Sequence, residues 1–107
     1  EIAANIANPA QRSCAVTTLA TGPGDAGRLR EWTEREAGVT LGIGLGFGQP
    51  GSEAFRSHFR IGHMGHLNIP MLLGTLGAID AGLKSLNIPN GSGALEAASE
   101  SLAQALR

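Results

Sequence analysis

Leu72, Leu76, Ile79, Leu83 and Leu86 recur at steps of four, three, four and three. That spacing lines five apolar side chains along one face of an α-helix. Asn68 stands where a helix cap accepts hydrogen bonds from free amides, and Pro70 falls in the first turn, where its missing N–H is not needed. A long helix with one apolar face must cover that face. A chain of 107 residues has room for one modest core, so a single domain over residues 1–107 is expected.

The covering elements are read in order along the chain. Residues 1–10 (EIAANIANPA) read as the end of a helix, with Ile2 and Ile6 on one side and Pro9 closing it. Residues 13–20 (SCAVTTLA) are β-branched and short, as a strand is. TGPGD then turns the chain, with Asp25 placed to accept from the first amides of a helix over 26–37. That helix turns Leu29, Trp32 and Thr33 inward, pairs Glu31 with Arg35 outside, and ends at Gly38. A short strand over 39–41 dissolves into a glycine-rich loop, and a further strand covers 58–61. Residues 93–106 form a last helix with Leu95, Ala98, Leu102 and Ala105 aligned. Three short strands covered by helices make an α+β, two-layer domain.

Several function classes fall away on composition. A net charge of −1 without a basic block offers no electrostatic footprint for nucleic acid. No apolar run approaches the roughly 20 residues of a membrane helix. The single cysteine, Cys14, permits no internal disulfide and fits a reducing, cytoplasmic setting. Glycine, at 16 residues, is about twice its average share and clusters at Gly42, Gly44, Gly46 and Gly48. The chain opens at Glu1 within an alanine-rich stretch, which fits a trimmed protein or a piece of a larger one.

Three groups of residues carry candidate chemistry. The run GIGLGFG has the glycines of a phosphate-binding loop but neither its spacing nor a following Lys-Ser/Thr, so a turned loop beside a cleft, through Gly44, Leu45 and Gly46, is expected. His58, His63 and His66 lie within nine residues and could offer imidazoles to a divalent metal, or simply bond backbone at a corner. Arg60 sits on a strand between apolar Phe59 and Ile61, so it projects from the opposite face. Its planar fork matches a carboxylate; the competing role is a salt bridge to Glu53 or Asp80. Ser13, Ser52 and Cys14 have no base beside them in any recognisable motif, and Lys84 reads as a solvated charge at a helix end.

Taken in order, QRSCAVTTLATG, AGVTLGIGLG, FRIGHMGHLN and LLGTLGAIDAGL resemble the C-terminal small domain of class V pyridoxal-phosphate aminotransferases, in particular the serine–glyoxylate and alanine–glyoxylate branch. The resemblance covers nearly the whole chain, and RIGHMG (60–65) is its most specific part. It implies a small, mainly antiparallel three-stranded sheet covered by helices. It also implies that Arg60 binds the substrate α-carboxylate, in an enzyme moving an amino group from serine or alanine to glyoxylate or another 2-oxo acid. The cofactor, pyridoxal 5′-phosphate, would sit on a large domain absent from these residues, and the parent enzyme would be a homodimer. Lys84 does not match the family's Schiff-base lysine, so this chain alone is expected to be inactive. Residues 47–57 are also longer than the family's usual link into the motif.

Overall fold

β1 (Ala3–Ala4), β2 (Val16–Ala20) and β3 (His58–Gly62) form an antiparallel sheet in the order β1-β2-β3 in the computed structural model, which describes residues 2–105. Its register sets everything that follows. Leu19 pairs with Phe59 and Thr17 with Ile61, whereas Thr18 pairs with Arg60 and Ala20 with His58. Paired residues share a face and successive residues alternate. One face therefore carries Leu19, Phe59 and Ile61; the other carries Thr18, His58 and Arg60.

Helices cover the first face. The chain runs through α1 (Asp25–Trp32), a π turn at Thr33–Ala37, α2 (Glu53–Arg56), α3 (Ile69–Ser85) and α4 (Ala94–Ala105). The core joins Ala26 and Leu29 of α1, Phe59 of β3, and Ile79 and Leu83 of α3 with Leu41 and Ile88. Burying each large apolar side chain is worth about 1.5–3 kcal/mol. The stripe that predicted α3 faces this core: Ile79 and Leu83 are buried, and Leu72, Leu76 and Leu86 are half-buried. Asn68 caps the helix as expected, its Oδ1 accepting from the Met71 amide at 2.9 Å. Helices α1 and α3 approach closely at Gly82, where a Cβ would lie 2.8 Å from Leu29 Cδ1 and 2.9 Å from Trp32 Cε3.

The α+β class and the antiparallel sheet agree with expectation, but several elements differ. Residues 1–10 are not the end of a helix. Ala3 and Ala4 pair with Ala20 and Leu19, a 3-10 turn follows at Pro9–Gln11, and Ile2 packs against the core. Sheet pairing overrides the helix propensity of alanine. The strand expected over 39–41 is reduced to a single bridge between Gly42 and Arg60, so the third strand comes from the N-terminal segment instead. Inside the expected loop, Ser52 accepts from the Phe55 amide and starts the one-turn helix α2.

Local chemistry shifts in the same way. Asp25 does not cap α1. Gly24, at φ 74°, holds the cap position without a side-chain bond, and Thr21 Oγ1 accepts from the Ala26 amide at 3.0 Å. Asp25 binds Arg28. Gly38 does end the helical stretch, at φ 69°. The last helix begins at Ala94, and its expected end at residue 106 lies outside the described residues.

The expected Glu31–Arg35 pair is absent, because Arg35 binds Glu36 and Glu31 binds Arg56 Nη1 at 2.8 Å. Arg56 reaches α1 by lying over Gly27, where a Cβ would come within 2.4 Å of its Cζ. The hydrogen bond from Arg56, and next its charge, hold the Glu31 carboxyl below the ordinary carboxylate range. A carboxyl with a depressed folded pKa adds stability above its unfolded value and loses it as pH falls through the folded one. Glu31 is 62% exposed, so solvent screening limits the pair to about 0.2–1 kcal/mol. Glu31→Gln should therefore lower the urea midpoint slightly at pH 7. The difference from the parent should vanish once pH has fallen through the depressed folded pKa; a gap that persists in acid would show that the pair is not its source.

Candidate functional site

The face of the sheet opposite α1 and α3 carries the candidate residues. Arg60 is held on it at two levels. Its backbone bridges Gly42, with N–H to carbonyl distances of 2.8 and 3.0 Å in the two directions. Its Nε donates to the carbonyl of Ile43 at 2.8 Å. That leaves the two terminal nitrogens of the guanidinium without a protein partner among the described residues, and neither is sealed from solvent. They form the fork that a carboxylate fits.

Neither carboxylate considered as a structural partner meets Arg60. Asp80 is engaged by Lys84 Nζ at 2.8 Å. It lines a cavity together with Phe59 and Ile61, on the helix side of the sheet. Glu53 forms no ion pair with Arg60 among the described residues; it opens α2 at the helix's positive end. Arg60 is thus a half-buried cation, fixed at its Nε, with its charge unmatched by any described carboxylate within ion-pair distance.

The glycine run is what holds Arg60 in place. Gly42 has no spare room: a Cβ would lie 3.0 Å from Arg60 Cβ and 3.3 Å from its Nε. Gly44 is buried, and a Cβ there would fall 2.3 Å from the carbonyl oxygen of Phe55 and 3.2 Å from that of His58. Carbonyl oxygens crowd this glycine, so the run is no cradle for a phosphate, which needs N–H groups. Leu45 is 65% exposed, and Gly46 turns the chain at φ 90°. Gly44, Leu45 and Gly46 therefore form a turned loop that follows Ile43, the residue tied to Arg60.

The three histidines do not come together. Position parity on the strand sends His58 to the Arg60 face and His63 to the other, where His63 Nε2 meets Thr17 Oγ1 at 2.8 Å. His66 is exposed in the turn that follows. Among the described residues no group of three or more His, Cys, Asp or Glu side chains could hold a metal ion. Alternation over the six residues from 58 to 63 separates two of the ligands that closeness in sequence had grouped.

His58 has a defined setting of its own. Its Nδ1 lies 2.8 Å from the carbonyl oxygen of Ala54, and its ring stacks on Phe47 with centroids 3.6 Å apart and planes 6° from parallel. Sequence reasoning missed the parts played by Phe47 and by the Ile43 carbonyl. An aromatic residue inside a glycine loop was the one available signal for Phe47; a backbone acceptor leaves none.

No protein-family model matches the chain, and no curated protein matches it.

A cavity of about 430 Å³ lies on the opposite side of the sheet from Arg60, bounded by Leu19, Phe59, Leu76, Ile79 and the first turn of α4. Its walls are the helix-side core, and neither Arg60 nor His58 reaches it. Among the described residues, no helix is long and apolar enough to cross a membrane.

Proposed function

We propose that this chain is the substrate-carboxylate-binding small domain of a pyridoxal-phosphate aminotransferase. The enzyme would move an amino group from an amino acid such as serine or alanine to glyoxylate or another 2-oxo acid. The observation that supports the reading is Arg60, carried on a strand, tied at Nε to Ile43 and presenting an unpaired fork on the face of the sheet opposite the core. A guanidinium fixed in this way holds a carboxylate in one orientation, which is the contribution of positioning to catalysis.

The chain's own residues do not fit the cofactor. The carbonyl oxygens of Phe55 and His58 crowd the glycine run at Gly44, and Lys84 is paired with Asp80 on the other side of the sheet. On this reading pyridoxal phosphate belongs to a separate large domain, which would close over the Arg60 face. The intact enzyme would be a cytoplasmic homodimer.

The test is direct. Adding glyoxylate or pyruvate to the chain at low salt should move the side-chain ¹⁵N resonances of Arg60. Arg60→Ala should weaken binding at least about tenfold, in keeping with a charge-assisted hydrogen bond. Arg60→Lys should restore little of it, because an ammonium lacks the planar fork. Equal binding by the Ala variant would end the clamp reading. In the intact enzyme the same substitution should raise the KM for the amino acid while leaving the cofactor's absorbance unchanged.

A further inference from the structure

The geometry points to His58 as a second contact for the molecule held by Arg60, one that favours carboxylates whose other end carries a hydroxyl. The inference rests on the Arg60 reading and adds a specificity-determining residue to the same face.

The carbonyl of Ala54 can only accept, so the Nδ1 atom 2.8 Å away must carry a proton. In the neutral form of the ring the other nitrogen, Nε2, then carries a lone pair and accepts hydrogen bonds. Nε2 has no hydrogen-bond partner among the described residues and is not sealed from solvent. The Phe47 stack covers the flat of the ring and leaves its edge free. The imidazole is therefore fixed in tautomer by one contact and in plane by another.

His58 and Arg60 leave the same face of β3 with one residue between them, a spacing of roughly 6.6 Å along a strand. Both are held by the same stretch of chain. Ile43 anchors the arginine, while Phe47 and Ala54 anchor the histidine. A short acid bound by the Arg60 fork brings its far end toward the acceptor at Nε2. A hydroxyl there donates a hydrogen bond, whereas a methyl group leaves the acceptor desolvated and unpaired. Sites built to bond a hydroxyl reject the analogue that lacks it for this reason.

The experiment compares 3-hydroxypropionate with butyrate, two acids of the same shape that differ in a terminal hydroxyl or methyl. Each is titrated into the chain at pH 8 and low salt, with side-chain ¹⁵N shifts of Arg60 and His58 as the readout. Both acids should move Arg60. The hydroxy acid alone should move His58 Nε2, and it should bind about three- to tenfold more tightly, as expected for one neutral hydrogen bond. His58→Phe keeps a ring for Phe47 to stack on and removes both nitrogens. It should abolish the preference, because it removes the acceptor that the hydroxyl satisfies and the methyl leaves unpaired.

Equal affinities with an unmoved His58 in the parent chain would overturn the proposal while leaving Arg60 in its role. So would a preference that survives in the Phe variant. Failure of both acids to move Arg60 would instead overturn the Arg60 reading, and this inference with it. The parent-chain shifts decide the matter even if the variant does not fold.

Discussion

Phe59→Ala should destabilise the chain by about 3–5 kcal/mol, the range for removing a buried aromatic ring. A domain of this size has a total stability of roughly 5–15 kcal/mol, so the variant should be close to unfolding at physiological temperature. Phe59 is fully buried. It pairs with Leu19 across the sheet and joins the cluster of Leu29, Ile79 and Leu83 that unites α1 and α3 with β3. Removing the ring would enlarge a cavity that already reaches this side chain, so little relaxation is available to recover the lost contacts. Thermal unfolding gives the check, with a fall of at least about 12 °C expected at 4–8 °C per kcal/mol. A shift of only a few degrees would mean that the helices do not depend on this ring for their seat on the sheet.

Gly44→Ala should detach the glycine loop from the Arg60 face. The new methyl would lie 2.3 Å from the Phe55 carbonyl oxygen, and its neighbours are backbone atoms that cannot swing away as a side-chain tip can. Loop and α2 must separate, at a cost of about 1–3 kcal/mol for overpacking. The separation should draw the Ile43 carbonyl away from Arg60 Nε and open the Phe47–His58 stack. NMR of the Arg60 Nε–H and of the His58 ring should show both changes in one variant. Gly46→Ala is the contrast: a Cβ there meets nothing within 4 Å, but φ is +90°. Its cost, of the order of 1 kcal/mol, comes from backbone strain alone. If Gly44→Ala left the Arg60 and His58 signals unmoved, the loop would not be what orients them.

Much of the fold was legible because periodicity reports burial. The stripe of α3 lies on the core, and the alternation of Phe59 and Ile61 with His58 and Arg60 is the alternation of the two sheet faces. The cap at Asn68 and the stop at Gly38 were also legible, since each rests on chemistry local to a few residues. The errors fell where partners are distant. Ala3 and Ala4 extend only because Ala20 and Leu19 are there to pair with them, and Glu31 turns to Arg56 because α2 brings that cation alongside α1. Residues 39–41 failed as a strand because only Gly42 reaches the β3 edge.

The candidate site divides along the same line. The sequence by itself determined that Arg60 would stand on a strand, opposite two apolar neighbours, because alternation is written in neighbouring residues. Tertiary structure alone decided that Asp80 is taken by Lys84, that Glu53 stays clear, and that the Ile43 carbonyl holds the arginine's Nε. It alone set His58 against Phe47 and sent His63 to Thr17 on the other face. Charge pairing and hydrogen bonding act over a few ångströms, and which groups come within that reach is fixed by how the sheet and helices close.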